Sequence, residues 1–112
     1  MELTISHELG YILAKTSGPI DESAQPLLAE YLHPLVSQPG TRLVLDLSGS
    51  QRINSEGLSL LVKLNADANS HGSRVAMAAA APFVQNVLTI TRLDRFFDHH
   101  RTLSEAIAAV DQ

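Results

Sequence analysis

The stretch Arg42-Leu43-Val44-Leu45-Asp46-Leu47 constrains the fold of this chain most. It is short and almost wholly apolar, with Pro39-Gly40 before it and Ser48-Gly49-Ser50 after it, the pattern of a buried strand. A helical pattern follows directly. From Asn54 or Ser55 onward, Gly57, Leu60, Leu61, Leu64 and Ala68 form one stripe, widened by Leu58 and Val62. Ser59, Lys63 and Asp67 lie opposite, with Lys63 and Asp67 spaced as a favourable ion pair, and His71-Gly72 ends the helix. A buried strand that feeds a helix through a short turn predicts mostly parallel pairing with its neighbour.

The rest of the chain repeats this alternation. Leu3 and Ile5, then Tyr11 and Leu13, alternate about Gly10 and predict two strands joined by a turn. Asp21 or Ser23 is placed to cap a helix carrying Ala24, Leu27, Leu28, Tyr31, Leu32, Leu35 and Val36. Ser23 is the better cap, because it puts Pro26 in the first turn, where a missing N–H costs nothing. Pro34 predicts a kink in this helix, although the apolar period runs through it. A strand is expected at Arg74–Ala79, a short helix from Pro82, a last strand at Phe96-Phe97 and a final helix from Leu103 to Val110, opened by the capping box Thr102-Leu103-Ser104-Glu105. The expected fold is α/β: one domain spanning residues 1–112, with a mixed sheet of four to five strands and about four helices packed against it.

Composition narrows the function. At 112 residues the chain makes one domain, and its 45% hydrophobic and 18% charged content suits one modest core. The net charge is −4, and the nearest basic cluster, Arg92, Arg95 and Arg101, is interrupted by Asp94 and Asp98, so no nucleic-acid partner is expected. The absence of cysteine excludes disulfides, thiolate metal sites and cysteine nucleophiles. No apolar stretch approaches bilayer length and the first residues lack the pattern of a signal peptide, so a cytoplasmic protein without a membrane partner is expected. Of the five histidines only His99-His100 are close in sequence, which makes no metal site without further ligands. Asn54-Ser55-Glu56-Gly57 lacks the first glycine of a hydrolase elbow, and the glycines are too isolated for a nucleotide loop. No cofactor, metal or enzymatic activity is expected.

Three stretches carry a resemblance. They are Leu43-Val44-Leu45-Asp46-Leu47-Ser48-Gly49 with Ile53-Asn54-Ser55-Glu56-Gly57-Leu58, then Val87-Leu88-Thr89-Ile90-Thr91-Arg92-Leu93-Asp94-Arg95-Phe96, and Ser17-Gly18-Pro19-Ile20-Asp21. In order and spacing they resemble the STAS domain of anti-sigma-factor antagonists. The resemblance implies a binding module whose serine at the start of the second helix, here Ser55, is phosphorylated by a serine kinase that is also the anti-sigma factor. It further implies that phosphorylation releases the kinase and that a serine phosphatase reverses the mark. Two positions depart from the family pattern: Asn54 stands where Asp is common, keeping the capping chemistry without the charge, and Glu56 stands where a small residue is common.

The chemistry suits that position. A helix start exposes unpaired amides at the positive end of the dipole, where a phosphate is held without unfolding the helix. Serine or asparagine before an apolar helix is also a cap in its own right. The expected partner surface comprises Ser48, Ser50 and Arg52 in the turn, Asn54, Ser55, Glu56 and Gly57 at the helix start, and Ser59 and Lys63 on its exposed side, bordered by Asp21. Gly57 either admits a partner's backbone or allows tight internal packing. Ser59 is expected to be a plain exposed serine. A monomer or weak dimer is expected. The alternatives are a non-switching assembly module of a larger signalling complex and a domain that binds a small molecule or lipid between sheet and helices.

Overall fold

In the computed structural model, which describes residues 1–111, the stretch from 42 onward forms the central strand of a five-stranded sheet. The strands are β1 (Glu2–Glu8), β2 (Tyr11–Ser17), β3 (Arg42–Gly49), β4 (Arg74–Ala78) and β5 (Asp98–His100), in the spatial order β1-β2-β3-β4-β5. β1 and β2 form an antiparallel hairpin turning through Gly10, whose φ of 88° suits glycine. The pairs β2–β3, β3–β4 and β4–β5 are all parallel, so the sheet is mixed, as the alternation predicts.

Helices cover both faces. On one face lie α1 (24–36), α2 (Ser55–Ser70) and α3 (Pro82–Ile90), which share a core with Leu43, Leu45 and Leu47 of β3 and Val75 and Met77 of β4. The opposite parity of the same strands, Val44, Ala76 and Ala78, packs against Ala106 and Val110 of α4 (Leu103–Val110). The alanines that weaken the strand pattern of β4 therefore have a purpose: they lie where small side chains let α4 approach the sheet. Thr102 caps α4, its hydroxyl accepting the Glu105 N–H at 3.2 Å.

Three local expectations are corrected. Ser23 is not the capping acceptor of α1: its side chain caps nothing, and the Asp21 carboxylate instead accepts the Ser23 N–H at 2.9 Å and the Ser23 hydroxyl. Pro34 does not simply kink α1. The helix widens to a π-turn over Leu28–Leu32, where the His33 N–H reaches back to the Leu28 carbonyl, so the missing Pro34 N–H falls at the return to α geometry. Leu28, Leu32 and Val36 stay buried through the widening. Phe96-Phe97 is not the last strand. Phe97 is a buried anchor at the end of a turn, in edge-to-face contact with Phe96 at 5.1 Å, and pairing with β4 begins only at Asp98.

Asp67 does not pair with Lys63. Its carboxylate binds Nδ1 of His33 on α1 at 2.6 Å and Nδ1 of His71 at 3.1 Å, joining α1 to the end of α2. The hydrogen bond to His33, reinforced by charge on His33 and His71, lowers the Asp67 pKa. A carboxyl held low contributes stability above its unfolded pKa and loses it as pH falls through the folded value. Asp67→Asn should therefore be less stable than wild type at neutral pH, with the two urea-unfolding curves converging as pH drops below about 3.9; a gap that persists into strong acid would show that the carboxylate charge is not the source.

The start of α2 is set against the loop before α1. A Cβ on Gly57 would lie 2.0 Å from the Ile20 carbonyl oxygen and 2.5 Å from its carbon. Of the two readings of Gly57, internal close approach is thus the one the packing requires. Because the obstacle is backbone, Gly57→Ala should cost ~2 kcal/mol net of the better helical propensity of alanine, seen as a lower urea midpoint; a variant as stable as wild type would contradict the close contact.

Candidate partner-binding surface at the start of helix α2

The site begins where β3 ends. The Asp46 carboxylate, buried, accepts the Ser48 N–H at 2.9 Å, where the register of β3 against β2 shifts before Gly49 pairs with Ser17. Ser50 is fully buried, its hydroxyl 2.7 Å from that of Thr16 on β2. Gly49 passes so close to β2 that a Cβ would lie 2.4 Å from the Thr16 carbonyl oxygen. Residues 18–21 then run alongside residues 49–54. The Gly18 N–H donates to Gly49 O at 3.1 Å, the Ile20 N–H to Arg52 O at 2.9 Å, and the Asn54 N–H to Ile20 O at 3.2 Å, with Ile20 and Ile53 in a parallel bridge.

Asn54 caps α2. Its Oδ1 accepts the Gly57 N–H at 2.9 Å, and its Nδ2 donates to Glu22 Oε2 at 3.2 Å. The capping chemistry expected of this position is present, which leaves Ser55 as the first helical residue and frees it from capping. Ser55 is exposed, and among the described residues its hydroxyl has no hydrogen-bond partner. The N–H groups of Ser55 and Glu56 likewise have no acceptor among the described residues. Asp21 is half-buried, and its hydrogen bonds from the Ser23 hydroxyl and N–H lower its pKa.

Burial divides the sequence-predicted residues into an exposed set and a buried pair. Ser48, Arg52, Asn54, Ser55, Glu56, Ser59 and Lys63 are exposed, with Asp21 at the border. Ser50 and Gly57 are buried, where they fix the backbone. The Arg52 guanidinium sits 5.3 Å from the centre of the Phe83 ring, a cation–π contact that ties the turn to the first turn of α3. A shallow cavity of 290 Å³ lies between them, lined by Asp21, Arg52, Ile53, Asn54 and Phe83 among others.

Helical spacing implies an apolar trough beside the start of α2, which sequence reasoning missed. Two contacts mark the flanks of α2: Asp67 reaches α1 through His33, while Asn65 Nδ2 donates to the Phe96 carbonyl beyond the end of α3, at 3.4 Å. Leu58, Val62 and Asn65 follow helical spacing and so share the α3 flank. Across from them α3 carries a second apolar stripe outside its buried Val84 and Leu88: Phe83, Val87 and Ile90. Phe83 is 46% and Ile90 71% exposed, too much for core residues. The signal available in the sequence was that stripe, spaced four then three residues apart on a helix whose apolar content exceeds one face.

Among the described residues no group of histidine and carboxylate side chains could hold a metal ion, and no helix is long and apolar enough to cross a membrane. Comparison with known structures gives a consistent picture. An anti-sigma factor antagonist from Mycobacterium paratuberculosis is 25% identical, with a TM-score of 0.85 over 99% of this chain and 94% of that one. An anti-sigma-factor antagonist (STAS) domain protein from Planctomyces limnophilus is 18% identical, with a TM-score of 0.82 over 98% of each chain. The anti-sigma factor antagonist SpoIIAA in its unphosphorylated form is 15% identical, with a TM-score of 0.78 over 97% of this chain and 96% of that one. The family model described as "Mlab, STAS domain" matches residues 15–105, so the chain belongs to that STAS-domain family.

Proposed function

We propose that this chain is a protein-binding module of the anti-sigma factor antagonist kind, switched by phosphorylation of Ser55. The unmodified form binds a serine kinase that acts as the anti-sigma factor, phosphorylation releases it, and a serine phosphatase restores binding. The chain itself performs no catalysis. The observation that carries this reading is the free, exposed Ser55 hydroxyl on the first turn of α2, at the edge of the apolar trough.

The physical steps are short. A phosphate on Ser55 adds about −1.5 to −2 of charge. The unpaired N–H groups of Ser55 and Glu56 and the positive end of the α2 dipole favour it, so the helix stays formed. The surface therefore keeps its shape and changes its charge. Glu56 and Glu22 already make the neighbourhood acidic, so the phosphate compounds an existing field. Like charge brought against a partner costs several kcal/mol of binding. The trough supplies the apolar area that gives the unmodified complex its affinity.

A second reading, a non-switching assembly module, is favoured by the trough itself, since Phe83, Val87 and Ile90 lie on α3 and need no modification to bind. The two readings part on one experiment. Incubation with ATP and a cognate serine kinase of the anti-sigma-factor type should add one phosphate, mapped by mass to Ser55 and absent from Ser55→Ala; no modification, or modification confined to Ser59, would sink the switch. The trough is tested separately. Ile90→Asp should fold with wild-type stability, because Ile90 is 71% exposed, and should weaken binding of the unmodified chain to that kinase at least tenfold, about 1.4 kcal/mol; unchanged affinity would remove the trough from the interface.

A further inference from the structure

The far side of α3 borders a second site. β4 and β5 are adjacent and parallel, yet the chain leaves β4 for α3 on one face of the sheet and leaves β5 for α4 on the other. The carboxyl ends of two such strands form a topological switch point, where open α/β sheets leave a crevice for ligands. Here the crevice is a cavity of 700 Å³, within the size range of small-molecule sites.

Its lining is polar in a particular way. Arg101 is exposed and has no ion pair among the described residues. Gln85 adds an amide from α3. α3 itself opens at the cavity wall with Pro82, and its N-cap, Ala81, has no side-chain acceptor. The Phe83 and Val84 N–H groups are thus unpaired among the described residues, whereas Thr102 caps the start of α4. Asp98 does not compete for Arg101: its carboxylate is already held by Arg74 at 3.2 Å and by His100 Nε2 at 2.7 Å. Glu105 is the acceptor on the wall. His99, half-buried, also lines the cavity; its Nε2 is buried without a partner among the described residues, and burial, together with the neighbouring His100, lowers the pKa of that ring. Just before the lining residue Ala80, Ala79 has a φ of 57°, a strained value for alanine, held by its N–H bond to His100 O at 3.1 Å.

We propose that this crevice binds a small hydroxylated organic anion, its acidic group on Arg101, Gln85 and the open first turn of α3, and its hydroxyl donating to Glu105. The acidic group is a phosphomonoester or a carboxylate, which share this chemistry. The site is separate from the partner surface, since Gln85 and Phe83 leave α3 on different flanks and Ser55 takes no part.

The test is a ¹H–¹⁵N NMR titration of the full chain with ribose 5-phosphate, malate and inorganic phosphate. Saturable shifts confined to residues 80–85 and 99–105 are expected with ribose 5-phosphate, malate or both, and the tighter of the two identifies the acidic group. Inorganic phosphate, lacking the carbon-bound hydroxyls, should bind more weakly. Arg101→Ala should weaken binding about tenfold or more, as for loss of a charge-assisted hydrogen bond, and Ser55→Ala should leave it unchanged. No saturable shift with any probe, or binding undiminished in Arg101→Ala, would overturn the proposal and leave the reading of Ser55 untouched.

Discussion

The backbone of Ile20 holds the candidate surface together. Its N–H and carbonyl bond to Arg52 and Asn54, its strand-like pairing with Ile53 extends the sheet by one bridge, and its carbonyl lies against Gly57. The side chain is fully buried. Each of these contacts acts on the few residues that deliver Asn54 to its capping position, and Asn54 in turn leaves Ser55 uncommitted. The site is thus a consequence of how residues before α1 pass beneath the start of α2.

Two flanks of one helix explain how the molecule divides its surfaces. α3 buries Val84 and Leu88 in the core, leaves Phe83 and Ile90 exposed beside half-buried Val87, and turns Gln85 toward the crevice beyond β4 and β5. α2 is anchored on one side through Asp67 and His33 and on the other, toward the trough, through Asn65. Arg52 closes the upper end of the trough by lying over Phe83. The apolar and charged parts of the candidate surface are therefore adjacent but carried by different elements.

Much of this was legible in the sequence, for physical reasons that differ by element. The strand from Arg42 to Leu47 and the helix from Ser55 were read from period and punctuation alone, because one is buried on both faces and the other on one, whereas Ser48 and Gly49, read as turn, continue the strand. The start of α4 followed from its capping box. The π-turn in α1 could not be read, since it depends on how the chain absorbs Pro34 while keeping Leu28, Leu32 and Val36 in the core. β5 was displaced by two residues because aromatic residues suit strands and buried anchors equally, and only pairing with β4 decides between them. Asp67 was assigned to Lys63 by helical spacing, but His33 comes from a helix distant in sequence. Of the candidate site, the exposure of Ser55 and its neighbours at the helix start follows from the polar side of the α2 pattern, while the burial of Ser50 and Gly57 depends on contacts from β2 and the 18–21 loop that local pattern does not contain.

The contact between Ile20 and Gly57 also bears on when the surface exists. It joins segments far apart in the chain, and it can close only after β2 and β3 have paired in parallel, a long-range step that is slow to form. A nascent or partly unfolded chain has the Ser55 segment but lacks the backing that gives the helix start its shape. The surface is in this sense a readout of completed folding: a partner that requires it registers finished molecules, and the pool available to that partner is set by the folded fraction as much as by the amount of chain made.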